Sequence, residues 1–382
     1  MEDINKILSI DVGNISKMFG VDLQTSAGKS LWGFGGNGSG ELGDGSDLHR
    51  SSPVQVDSID QWVDIAAGLN HSLGIKSDGT LWAWGDNAYG ALGLGDTTDR
   101  SSPIQVGSDT NWDKVFAAGT HDARVSFAIK SNGTLWAWGR NAYGGLGLGD
   151  TTDRSSPVQV GSDTNWESVA NSSIHTTAVK SNGTLWSWGR NANGQLGLDD
   201  TTDRSSPVQV GSLSDWSGVT VGAYHSLMIK SDGTIWGTGL NNEYQLGTGN
   251  TTTVSSPIQI GSSSNWSDIS GGSYHTTALG NTGTLWTWGA NSFGRTGLGL
   301  SSGYTSVPTQ IGSDTNWSKI EVGAAHNICI KSDGSVWSWG YNNLYQLGLG
   351  DNAHRSSPVQ VGSDTNWYYS ACGWSHTIAL RS

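Results

Sequence analysis

Residues 71–93 read HSLGIKSDGTLWAWGDNAYGALG, and the same phrase returns with small changes along nearly the whole chain. Its clearest column is Trp32, Trp82, Trp136, Trp186, Trp236, Trp286 and Trp337, with successive spacings of 50, 54, 50, 50, 50 and 51 residues. A histidine column keeps step: His71, His121, His175, His225, His275, His326 and His376. Within one period, Pro53-Val54-Gln55-Val56, Trp62-Val63-Asp64-Ile65-Ala66, His71 to Lys76 and Leu81 to Gly85 each alternate large and small residues, as strands do. Asp78-Gly79 between the last two predicts a two-residue hairpin turn of type I′. Four strands per unit of about fifty residues make one blade of a closed propeller. The predicted fold is therefore all-β: a seven-bladed β-propeller of four-stranded blades.

The ends fit a ring. The chain finishes on His376-Thr377-Ile378-Ala379-Leu380-Arg381-Ser382, where a further strand would follow, and Ser30-Leu31-Trp32-Gly33-Phe34 supplies that strand from the other terminus. Pairing of N- and C-terminal strands within one blade is expected, since it removes exposed edges. A faint strand pattern over residues 21–26 would compete for the same place.

Nineteen of the twenty tryptophans fall in three repeated columns, represented by Trp62, Trp82 and Trp84, so their expected role is blade packing. Trp374 alone stands outside. Ala83 and its small counterparts are expected to face the bulky column of the neighbouring blade. The histidines recur too regularly to be catalytic, and each is expected to hydrogen-bond loop backbone. Asp96-Thr97-Thr98-Asp99-Arg100 and its copies lack the ligand order of a calcium loop and read as loops locked by an Asp–Arg pair.

A net charge of −13 with scattered Lys and Arg argues against nucleic-acid binding. No stretch has the length and apolarity of a membrane span, and the first residues lack a secretory signal. The two cysteines, Cys329 and Cys372, give no disulfide framework. No nucleophile–base set or metal cluster breaks the repeat, so no enzyme activity, cofactor or metal is expected. The setting expected is the cytoplasm, or a virion assembled there.

The phrase at 71–93, with matching stretches from His121, His175, His225, His275 and His326, resembles the repeat of the regulator of chromosome condensation family across residues 26–382. That resemblance implies a seven-bladed propeller. It also brings to mind three kinds of member. A guanine-nucleotide exchange factor of the family uses a wedge-like insertion, but the only sizeable insertion here is about four residues between His121 and Ile129. An ultraviolet-B photoreceptor carries repeated Gly-Trp-Arg-His-Thr, whereas only Gly373-Trp374-Ser375-His376-Thr377 occurs here. Secreted β-lactamase inhibitors have export signals and shorter repeats.

Function is expected where the symmetry breaks. The candidate protein-binding residues are Asp122, Arg124, Val125, Glu243, Tyr244, Arg295, Tyr304 and Trp374. Residues 1–25 form a separate N-terminal arm with an eleven-residue tandem repeat. Its apolar positions Ile4, Ile7, Leu8, Ile15, Met18 and Phe19 are candidate anchors, and the pattern resembles the start of tailed-bacteriophage virion proteins. The leading expectation is a non-catalytic structural or interaction propeller, a phage tail or surface component binding other virion proteins or a host surface molecule. The alternative is a soluble intracellular regulator that binds a protein such as a small GTPase.

Overall fold

The computed structural model describes residues 29–57, 61–120 and 124–382. These residues form seven four-stranded antiparallel sheets, and the only helical element among them is a single turn at Ser292–Gly294. The first blade runs Trp62–Ala67, His71–Lys76, Leu81–Gly85 and Arg100–Gln105 from the axis outward. Five more blades begin at the inner strands Trp112–Ala117, Trp166–Asn171, Trp216–Val221, Trp266–Gly271 and Trp317–Val322. The seventh is composite: Trp367–Cys372 and His376–Arg381 from the C-terminus, then Ser30–Gly35 and Arg50–Gln55 from the N-terminus. Ser30 pairs with Arg381 and Gly35 with His376, so the terminal strands close the ring as expected. Residues 21–26 lie outside the described residues.

Two local expectations change. The strand around Pro53 belongs to the seventh blade, so the sequence period is offset from the blade by one strand. It forms an outer edge, where proline's missing N–H costs nothing. The turn at Asp78-Gly79 is not type I′, because only Gly79 has positive φ. Gly79 N–H donates to the Lys76 carbonyl and Lys76 N–H to the Thr80 carbonyl, which is a type I turn closed by a left-handed glycine. Asp78 instead accepts hydrogen bonds from the Thr80 amide (3.0 Å) and hydroxyl (2.6 Å). A Cβ on Gly79 would sit 2.1 Å from the Thr110 carbonyl oxygen, so glycine is required twice over.

Packing follows the tryptophan columns. Trp62 and Trp84 are fully buried with rings 5.7 Å apart, edge to face, against Leu31, Ile378 and Leu380 of the seventh blade. On the other face of the first blade, Ala83 is joined by Leu73, Ile75 and Leu81 against Trp112 and Trp138 of the second. The receiving face is thus small only at the Ala83 column and large elsewhere.

Candidate protein-interaction face

Four junctions between blades are latched at one end of the second strand. The His376 Nε2 lies 3.0 Å from the Ser72 hydroxyl, which itself donates to the Glu41 carbonyl at 2.8 Å. The indole N–H of Trp84 reaches the same carbonyl at 2.9 Å. His71 meets Ser126 at 2.9 Å, His175 meets Ser226 at 3.0 Å, and His326 meets Thr377 at 3.3 Å. These four histidines therefore meet hydroxyls of the adjacent blade rather than loop backbone, while His225 and His275 are buried without a hydroxyl partner. Glycines make room for the rings: a Cβ at Gly68 would fall 2.1 Å from His71 Cε1. Burial pushes His71 down to about 4 and His175, His225, His326 and His376 to about 3, so all five are neutral at physiological pH.

The second blade departs from this plan. Val125, not His121, pairs with Gly139 as His71 pairs with Gly85, so valine holds the histidine position. His121 and Asp122 lie outside the described residues. Val125 is buried, which removes it from the candidate contact residues.

Antiparallel alternation sends two kinds of connection to one face of the ring. They are the turns between first and second strands, such as 68–70, and the loops between third and outer strands, such as 86–99. Arg124, Glu243, Tyr244, Arg295, Tyr304 and Trp374 all come from such connections or their borders. The loops are built as the sequence suggested: Arg100 pairs with Asp96 at 2.6 Å and Arg355 with Asp351 at 2.7 Å. The core of each loop is an asparagine. The Asn87 amide donates to the Asp96 and Thr98 carbonyls, and its oxygen accepts the Leu92 amide. No group of three His, Cys, Asp or Glu side chains placed to hold a metal occurs among the described residues.

In the fourth and fifth blades this pattern gives way to an aromatic and charged cluster. Val254 and Thr305 stand where the loop arginines stand elsewhere. Tyr244 has φ of 59°, at a position held by left-handed glycines such as Gly90 and Gly144 in several blades and by Tyr345 (φ 65°) in the sixth. A non-glycine residue there carries backbone strain on the order of 1–2 kcal/mol. Its ring lies 5.8 Å from that of the exposed Tyr304, and Tyr224 and Tyr274 lie 6.3 Å apart. Glu243 raises the Tyr304 hydroxyl above its ordinary pKa through its charge and a hydrogen bond. Burial raises Tyr274, with Tyr224 and Glu243 adding to it. Arg295 is buried rather than displayed; its Nε donates to the Ser292 carbonyl at 3.0 Å, and burial lowers its pKa while Glu243 raises it. Arg295 thus supports the cluster from beneath.

The other candidates sit apart from this cluster. Arg124 pairs with Asp86 at 2.6 Å and lies over the Tyr89 ring, which Arg140 also approaches. Trp374 is 38 % exposed, with its amide on the Leu69 carbonyl. Ile4, Ile7, Leu8, Ile15, Met18 and Phe19 lie outside the described residues.

Sequence reading missed the axial channel. Asp268, Glu321 and Tyr369 line a space of about 280 Å³ between the inner strands, and Asp64, on the inner strand of the first blade, accepts the Ile65 and Val115 amides. Asp268 touches channel space yet is ringed by protein, and burial raises it to about 6; burial likewise raises Asp64 to about 7. Glu321 rises to about 8 through burial and the nearby Asp268 charge. A register search for acids at the third and fifth inner-strand positions would have found all three.

Comparison with known proteins places the fold. The regulator of chromosome condensation (RCC1) repeat matches residues 30–75, 78–123, 132–179, 182–229, 232–279, 282–330 and 333–380. The chain belongs to the RCC1 repeat family. Protein pim1 of Schizosaccharomyces pombe is 45% identical over 49 residues, a match covering 13% of this chain and 9% of pim1. The crystal structure of Prp20p from Saccharomyces cerevisiae, described with its binding properties to Gsp1p and histones, superposes with a TM-score of 0.82. It shares 20% identity over 97% of this chain and 94% of its own. Human WBSCR16 gives 0.82 at 20% identity, over 93% and 99%. At that identity the likeness concerns the fold. No helix among the described residues is long and apolar enough to cross a membrane.

Proposed function

We propose that this chain is a non-catalytic protein-binding propeller whose recognition surface centres on the fourth and fifth blades. One observation carries the reading: the strained Tyr244, the exposed Tyr304 and the Glu243 charge converge where the repeat's Asp–Arg loop lock is lost. Strain and exposed aromatics are kept where a partner uses them. The match to Prp20p, with its described binding to Gsp1p and histones, favours the regulator reading over the virion one, which drew on residues 1–25 alone. A protein partner of the small-GTPase kind is the first to test.

The experiment is binding and nucleotide release with a panel of small GTPases carrying fluorescent GDP. The proposal expects saturable binding to one of them, weakened at least about tenfold by Tyr244→Ala with Tyr304→Ala, as truncation of aromatic anchors does. Binding that is unchanged in the double variant would exclude this surface. Absence of any GTPase binding, together with co-purification of the chain with virions, would return the virion reading to first place.

A further inference from the structure

Six blades carry a built-in cation between two indole rings. Lys180 Nζ lies 4.5 Å from the Trp166 ring and 3.6 Å from Trp186; Lys331 lies 4.7 Å from Trp317 and 4.1 Å from Trp337. Lys76, Lys130 and Lys230 repeat the arrangement, and Arg381 does so between Trp32 and Trp367. Each cation also pairs with an aspartate from the connector that precedes the inner strand. That aspartate comes from one of three places: Asp57, Asp215, or the position of Asp109, Asp163, Asp314 and Asp364.

The fifth blade has the cage without the cation. Trp266 and Trp286 stand edge to face, 5.5 Å apart, as their counterparts do. Gly280 occupies the lysine position, paired with Trp266 as Lys180 is with Trp166. All three possible anion positions are neutral as well: Gly261, Ser263 and Asn265. The lost side chain leaves a cavity of about 420 Å³ bounded by both tryptophans, Gly280 and Ser263.

We propose that this cavity binds an alkylammonium group, which takes the place the repeat gives to its own lysine. The two indole faces attract a cation, and the five lysine-filled copies show the geometry the occupant adopts. Loss of the aspartate together with the lysine leaves no fixed charge to repel or pre-neutralise it. The site opens on the face of the hairpins and blade connectors, opposite the surface assigned to the protein partner, so the two readings fail independently. Two sources carry the chemistry: a free amine, or a lysine side chain of another protein.

The test uses the full chain and the indole N–H resonance of Trp286, which is hydrogen-bonded to Thr284 Oγ1 at 3.0 Å and is assigned with Trp286→Phe. Titration with n-butylammonium and with a lysine-containing peptide should shift it saturably in the millimolar range, while n-butanol should not. A peptide at least about tenfold tighter than the free amine identifies a partner's lysine; equal affinities identify a free amine. Gly280→Lys, whose Cβ turns aside the Thr284 hydroxyl that lies 2.4 Å from it and so rebuilds the arrangement of five other blades, should abolish the titration shift relative to that variant's own starting resonance. Lys230→Gly with Asp215→Ser should open a second site in the fourth blade and double the stoichiometry. No saturable shift with either amine, or a shift that persists in Gly280→Lys, overturns the proposal.

Discussion

Acid should unlatch the ring, and the slope can be worked from the buried histidines. In the folded chain His71 ionises at about 4 and His175, His225, His326 and His376 at about 3, while His275 is also pushed far down. Unfolded, each would ionise at 6.5. Between pH 6.5 and about 4 the unfolded chain therefore binds up to one more proton per histidine, and stability falls as pH falls. One proton is worth about 1.4 kcal/mol per pH unit, so six give about 8 kcal/mol per pH unit. The inner-strand carboxylates oppose this. Asp64, Asp268 and Glu321 have folded values of about 7, 6 and 8, so the folded chain protonates first and gains stability as pH falls. Their full share would be about 4 kcal/mol per pH unit, reduced by water in the channel. The net loss is then between about 4 and 8 kcal/mol per pH unit, enough to unfold a domain of ordinary stability within one to three units. Urea midpoints at fixed salt from pH 8 to 4.5 measure it, and His376→Gln should lower the acid slope by about 1.4 kcal/mol per pH unit. Stability that rises steadily into acid, or an unchanged slope in the variant, would refute the reasoning.

Other outcomes follow from the packing. Trp84→Ala removes a fully buried indole and its bond to the Glu41 carbonyl, and should cost about 3–5 kcal/mol in chemical denaturation. The half-buried Trp82 should cost clearly less on truncation. Glu321→Gln should stabilise the fold most at pH 9, by an amount on the order of 1 kcal/mol after solvent screening, with the gain shrinking as pH falls and vanishing near pH 4.5. The sign follows because the folded side chain keeps its proton up to about pH 8 while the unfolded one ionises at 4.5, so the penalty is full above pH 8 and absent below 4.5.

Blade number and tryptophan packing were legible because two tryptophan columns are written seven times and a third five times, and ring closure because the strand missing at one end of the chain stands at the other. The latch partners were not. His376 and Ser72 are 304 residues apart, and only closure brings them together. The register of the second blade misled for a related reason: His121 matches the repeat in sequence, but strand pairing places Val125 in the histidine position. At the candidate face, the symmetry breaks Glu243, Tyr244 and Tyr304 lie on loops at one rim, yet burial of Arg295 and Val125 depends on neighbours that sequence spacing does not reveal. The empty cage was not among the symmetry breaks read from the sequence, although Gly280 stands there in place of lysine. Its meaning needed the geometry of the filled copies.

Amide hydrogen exchange across the seam tests the central claim most directly. If Ser30–Gly35 and His376–Arg381 pair as the closing strands, the amides of Thr377 and Ala379, which face Phe34 and Trp32 across the seam, should exchange as slowly as those of Ser226 and Met228 inside the fourth blade. Rapid exchange confined to both terminal strands, with the remaining blades protected, would mean an open array and would contradict the closed ring.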